Sequence, residues 1–140
     1  MNQEEIKKII PHRDNMLLVE EAELVDEATS KGRFTVKGDE YFLKGHFPGN
    51  PVVPGVILCE MMAQASCVLL ANSSTNATPY FSKMDNVKFK NKVLPGDTLE
   101  SVCTLTKSRG VFHFITAKGY VKDKLCVSAD FTVAVVPNEK

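Results

Sequence analysis

The chain has 140 residues, 44% of them hydrophobic, which suits one domain with a modest core spanning 1–140. Its 17 basic and 17 acidic residues cancel, so no global field recruits nucleic acid or an anionic membrane. Four cysteines (Cys59, Cys67, Cys103 and Cys126) form no CxxC pair, and three histidines lack metal-ligand spacing. Buried thiols in a reducing compartment are therefore expected, with no metal. The lack of a charged-then-apolar leader points to the cytoplasm.

Taken in chain order, "QEEIKKII" from Gln3 reads as a short amphipathic helix closed by Pro11. "MLLVEEAELV" and "EATSKGRFTV" read as two strands around Asp26. Next comes "GHFPGNPVVPGVILCE", Gly45 to Glu60, whose prolines and glycines cannot form regular helix. From Val56 to Ala71 only Glu60, Gln64 and Ser66 are polar. This run is too short to span a bilayer comfortably and reads as a buried helix, with Pro54 in its first turn. The turn-formers "NSSTNATP" close it.

The C-terminal half contains three strand patterns, "TLESVCTLT", "VFHFITAKGYV" and "LCVSADFTVAVV", at hairpin distances. Leu125, Val127, Ala129, Phe131, Val133 and Val135 alternate onto one face of the last. Antiparallel strands plus one helix with no polar side predict an α+β architecture, a curved sheet wrapped around that helix.

The chemistry concentrates in the central loop and helix. Glu60 sits among Ile57, Leu58, Cys59, Met61 and Met62, with Gln64 one turn on along the same face. An apolar setting disfavours a charged carboxylate, so Glu60 is expected to serve as a neutral acid. His46 precedes Pro48, Pro51 and Pro54, which stiffen the chain, while Gly45, Gly49 and Gly55 allow tight turns. A histidine pinned in this way has the fixed ring a general base needs. Gly55 lies where the helix begins. There, unpaired N–H groups and the positive end of the dipole would stabilise an oxyanion, and losing one such donor typically costs about 2.7–4 kcal/mol. A base, an acid and an oxyanion donor suit loss of water from a 3-hydroxyacyl thioester. His12 and His113 lack this context and read as structural. Cys59 has no evident partner base and is not read as a nucleophile.

"GHFPGNPVVPGVILCE" continuing into "MMAQA", together with "IPHRDNMLLVE" and "MDNVKFKNKVLPGDTLE", resembles the 3-hydroxyacyl-acyl carrier protein dehydratases of the FabZ type over nearly the whole chain. The resemblance implies the hot-dog fold. It also implies catalysis without a cofactor, and a two-fold homodimer in which His46 of one subunit works with Glu60 of the other, often assembled further as a trimer of dimers. In family terms the Val52 carbonyl orients His46, the Gly55 amide holds the thioester oxygen and Gln64 supports Glu60. The related FabA type carries aspartate where this chain has Glu60. Asp14, Asn15 and Met16 replace the family's usual aromatic, proline and phenylalanine. Acyl carrier protein, the implied partner, is acidic, and Lys83, Lys88, Lys90 and Lys92, with Lys107 and Arg109 at a hairpin tip, are candidates to steer it.

Three alternatives carry different signatures. Added trans-2/cis-3 isomerase activity would give a second product. A hot-dog acyl thioesterase would release free thiol. A non-catalytic acyl-binding module would need neither His46 nor Glu60.

Overall fold

The structure is a computed structural model and describes residues 1–71 and 76–138. Helix α1 is a single turn, Gln3–Ile6, shorter than the sequence pattern predicts. Asn2 and Glu5 close its start with a reciprocal capping box, and Ile6 is its one buried residue. Strands β1 (Glu21–Leu24) and β2 (Thr29–Thr35) form an antiparallel pair. The preceding "MLLV" does not join the sheet. Leu17, Leu18 and Val19 are buried instead, and the Leu18 amide donates to the Gln64 side chain, not to a strand.

Helix α2 spans Gly55–Ala65 and ends earlier than expected. The Ser66 amide bonds the Met62 and Ala63 carbonyls together, and the chain tightens into a 3₁₀ turn over Cys67–Leu70. Of the predicted turn "NSSTNATP", residues 72–75 lie outside the described residues. Ala77–Pro79 already belong to β3 (Ala77–Phe89), a strand that the sequence pattern left unassigned. Then follow β4 (Thr98–Arg109), β5 (Phe112–Val121) and β6 (Lys124–Pro137), the three expected C-terminal strands.

The six strands form one antiparallel sheet in the order β1-β2-β4-β5-β6-β3. It curls around α2, which packs on β2, β4, β5 and β6. This is the hot-dog arrangement. Leu58, Met61, Met62 and Ala65 of α2 meet a sheet face that includes Leu99, Cys103, Ile115 and Val127, all buried. Helix and sheet come unusually close at Gly32 of β2, where a Cβ would lie 2.5 Å from Ala65 Cβ. Ser30 Oγ donates to the Ala65 carbonyl at 3.2 Å beside that contact.

Strand β3 closes one end of the sheet, pairs among the described residues only with β6, and is largely exposed along its length. Its exposed residues include Tyr80, Phe81, Met84 and Phe89. No helix of the described residues is long and apolar enough to cross a membrane.

Candidate active site

The prolines of the central loop leave few conformations, and local hydrogen bonds select one. Phe47 and Asn50 exchange backbone bonds of 3.2 and 2.9 Å, with Gly49 turning at φ +74°. Beyond this turn the Val52 amide donates to the His46 carbonyl at 2.9 Å. The Val52 carbonyl in turn lies 3.1 Å from His46 Nδ1. A carbonyl only accepts, so that bond places the ring proton on Nδ1 and leaves Nε2 with its lone pair. Phe47 stacks on the imidazole, with ring centroids 4.2 Å apart.

Pro54 caps α2 without a side-chain donor or acceptor. Ile57 and Leu58 both donate to the Pro54 carbonyl. The Gly55 and Val56 amides precede them and have no partner among the described residues. A Cβ on Gly55 would meet the Phe89 ring at 2.7 Å. Glycine here allows Phe89 of β3 to lie against the helix start. His46, Val52, Gly55 and Phe89 line one cleft. Lys90, Lys92, Lys122 and Lys124 line the same cleft, facing a single acid there, Asp97. Two of these lysines, Lys122 and Lys124, were not among the steering candidates; they come from the β5–β6 turn and the start of β6.

Glu60 opens onto a second cleft. Ile9, Ile10, Leu70, Phe81, Val133 and Val135 give that cleft an apolar wall. The Glu60 side chain is only 20% exposed. Gln64 fixes it: Gln64 Oε1 accepts from the Leu18 amide at 2.7 Å. The Gln64 amide nitrogen must then face the other way, and it donates to the Met16 carbonyl and to Glu60 Oε2, each at 2.8 Å. Both N–H groups of Gln64 are thereby used. Glu60 Oε1 has no partner among the described residues. The Met16 carbonyl belongs to the Asp14–Met16 turn, where this chain departs from the family pattern. The departure thus touches Glu60 through Gln64.

His12, read as structural from sequence, also reaches Glu60. Its Nε2 stands 3.3 Å from Oε2, and it lines the same cleft. Arg13 braces the His12 backbone by donating to the carbonyls of Ile10 and His12. His113 lies elsewhere, buried on β5 with Nδ1 2.9 Å from Ser108 Oγ of the paired strand β4. Burial pushes its imidazole below the usual histidine range. Cys59 is also buried; desolvation first and the Glu60 charge second push its thiol up, which disfavours a nucleophilic thiolate. Among the described residues no group of three or more His, Cys, Asp or Glu side chains is placed to hold a metal ion.

Within one chain the sequence-predicted residues fall into two sets. His46, Val52 and Gly55 share the first cleft, while Glu60 and Gln64 share the second. Each set exposes one free reactive atom, Nε2 of His46 and Oε1 of Glu60.

Comparisons with known proteins bear on the family and the fold. The model of the ApeI-like family, described as ApeI dehydratase, matches residues 22–130. A 3-hydroxyacyl-[acyl-carrier-protein] dehydratase FabZ of Clostridium perfringens is 40% identical over 137 residues, covering 96% of this chain and 99% of the relative. A protein of the same name from Pseudothermotoga lettingae is 38% identical over 140 residues, the full length of both. Among solved structures, the dehydratase heterocomplex ApeI:P from Xenorhabdus doucetiae superimposes with a TM-score of 0.81 at 20% identity, over 96% of this chain and 91% of that one. At that identity the superposition supports the fold alone.

Proposed function

Because the chain belongs to the ApeI-like dehydratase family and to the 3-hydroxyacyl-[acyl-carrier-protein] dehydratases of the FabZ type, we propose that it removes water from 3-hydroxyacyl-acyl carrier protein to give the trans-2-enoyl thioester in fatty acid elongation. The observation that carries the mechanism is the pair of free atoms: a fixed imidazole with its lone pair on Nε2, and a fixed carboxyl with Oε1 unengaged.

The Val52 carbonyl holds His46 so that Nε2 removes a proton from the carbon next to the thioester carbonyl. Charge develops on the carbonyl oxygen, and the Gly55 N–H at the start of α2 receives it. The electrons then re-form the carbonyl and expel the hydroxyl from the next carbon. Glu60, held by Gln64, donates the proton from Oε1 that makes the leaving group water. His46 gains one proton and Glu60 loses one. Transfer between them, or through solvent, restores the enzyme. General acid and general base each contribute roughly 10²–10⁴-fold.

The two clefts meet in a homodimer. Strand β3 supports this reading: it is an edge strand of 13 residues whose open side displays apolar side chains, a natural template for a second copy. A two-fold axis perpendicular to it would pair the two copies antiparallel, and in the dimer proposed here the His46 cleft of one protomer meets the Glu60 cleft of its partner, giving two equivalent sites. Further assembly into a trimer of dimers follows from the family resemblance. The lysines around the His46 cleft suit an acidic carrier. Four free, buried cysteines support a reducing, cytoplasmic setting.

The test is to supply a 3-hydroxyacyl thioester on carrier protein and follow enoyl absorbance beside a thiol-trapping dye. Absorbance should rise with no thiol released. Thiol release without the enoyl product would replace this reading with a thioesterase.

A further inference from the structure

Resting on the dehydratase reading, we infer that His12 is a positioning residue for the acid, its Nε2–H holding Glu60 Oε2 so that the transferable proton is confined to Oε1. The starting point is the saturated state of Gln64. Its oxygen is committed to Leu18, so its nitrogen is a donor, and Oε2 of Glu60 is necessarily an acceptor. The proton of a neutral Glu60 then resides on Oε1. One hydrogen bond still leaves the carboxyl free to rotate about it. A second polar contact on the same oxygen would restrain that rotation, and among the described residues His12 supplies it, its Nε2 standing 3.3 Å from Oε2 as a close charge-pair contact.

The environment of the imidazole selects the required tautomer. His12 Nδ1 is buried and has no hydrogen-bond partner among the described residues. A proton on Nδ1 would be a buried donor without an acceptor, while Nε2 would direct a lone pair at an oxygen that already accepts. The form with hydrogen on Nε2 leaves Nδ1 an unpaired acceptor, which proteins tolerate better than an orphaned N–H, and turns a donor toward Oε2. It also puts a neutral donor, not a second base, beside the acid, so His12 does not compete with His46 for the substrate proton. Pro11 before it and Arg13 clamped on the carbonyls of Lys7, Ile10 and His12 fix its backbone.

Two measurements on the full-length protein test this. In kinetics on a carrier-bound 3-hydroxyacyl substrate, His12→Leu should lower kcat about ten- to hundredfold, the loss expected of one hydrogen bond to a charge-bearing group. KM and the thermal midpoint should change little. His12→Gln, which offers an amide N–H, should recover much of the lost kcat. Undiminished kcat in His12→Leu, or a loss matched by unfolding that Gln does not rescue, would overturn the inference. Nitrogen NMR of the imidazole gives a readout independent of turnover. His12 should be found as the Nε2–H tautomer, and its shifts should move in Glu60→Leu. An Nδ1–H or rapidly exchanging ring, indifferent to residue 60, would sink the idea. If the wild type failed to form enoyl product, the dehydratase reading would fall, and the NMR result would still decide whether His12 holds Glu60.

Discussion

Glu60→Gln separates the chemical role of the carboxyl from its structural one. Gln64 can present only N–H toward position 60, because its oxygen is held by the Leu18 amide at 2.7 Å. The new amide must therefore turn its oxygen to the Oε2 position, keeping the 2.8 Å bond from Gln64. Its NH₂ then falls where Oε1 was, and an amide does not surrender a proton to a leaving hydroxyl. The packing is unchanged in size, and the group is largely enclosed at 20% exposure. Stability should stay within about 1 kcal/mol, a thermal shift of no more than roughly 4 °C. Turnover should fall by the general-acid contribution, roughly 10²–10⁴-fold or about 2.7–5.4 kcal/mol of barrier. Enoyl-thioester absorbance under saturating substrate gives kcat, and circular dichroism gives the midpoint. A folded variant retaining more than a tenth of wild-type kcat would refute the assignment of the acid.

Four further outcomes follow from the same geometry. Gly32→Ala places a Cβ 2.5 Å from Ala65 Cβ between two packed layers; overpacking of this kind costs about 1–3 kcal/mol, and calorimetry should show a midpoint lower by roughly 3–12 °C. Reversing Lys90 and Lys124, which line the His46 cleft, should slow turnover of carrier-bound substrate and spare a small thioester analogue; equal losses on both would remove these lysines from carrier recognition. His113 is held below its unfolded value by burial, so as pH falls below about 6.5 the unfolded chain takes up a proton that the folded one resists. Stability should therefore decline from pH 7 toward pH 5, and His113→Gln should flatten that slope in denaturant titrations. Finally, His46→Ala and Glu60→Gln, each inactive alone, should regain about a quarter of wild-type activity when unfolded together and refolded in equal amounts, since half the dimers are mixed and each mixed dimer carries one intact site. A mixture as dead as its components would count against sites shared between protomers.

The sheet was legible in sequence where one face is buried and the other is not. In β6 Val127, Ala129, Phe131, Val133 and Val135 of the predicted face are buried, although Leu125 is only half-buried and Cys126, Thr132 and Ala134 of the opposite face are buried too. Strand β3 gave no such signal because most of it is exposed on both faces. Register shifts between Phe81 and Lys83 and between Asp85 and Lys88, with Asn86 at φ 51°, also break the period of two. "MLLV" misled for the opposite reason: it is apolar, but its backbone bonds the Gln64 side chain, the carbonyls of Arg13 and Asp14 and the Gln3 side chain, not a neighbouring strand. At the site, the stiff loop that holds His46 was legible because proline-imposed stiffness is local, whereas the part of Val52 came only from the family resemblance. The contact between His12 and Glu60 was not, because it joins segments far apart in sequence through a fold that neither segment specifies.

The helix itself explains why the site divides. Between Gly55 and Glu60 an α-helix rises about 7.5 Å; the Gly55 N–H points out of the helix start along its axis, while the Glu60 side chain projects from its flank. The end of α2 that can stabilise an oxyanion and the carboxyl that can protonate a leaving group cannot both face one cleft of one chain. The two clefts observed are the direct consequence. The β-carbon of a 3-hydroxyacyl chain is two bonds from its carbonyl carbon, and the acid must come within hydrogen-bond reach of the hydroxyl there. In the proposed dimer a second protomer, set against the open edge of β3, would supply that acid without bending the helix. On this reading, dimerisation is a condition for activity, and β3 keeps an apolar, exposed edge that a monomeric protein would be expected to blunt.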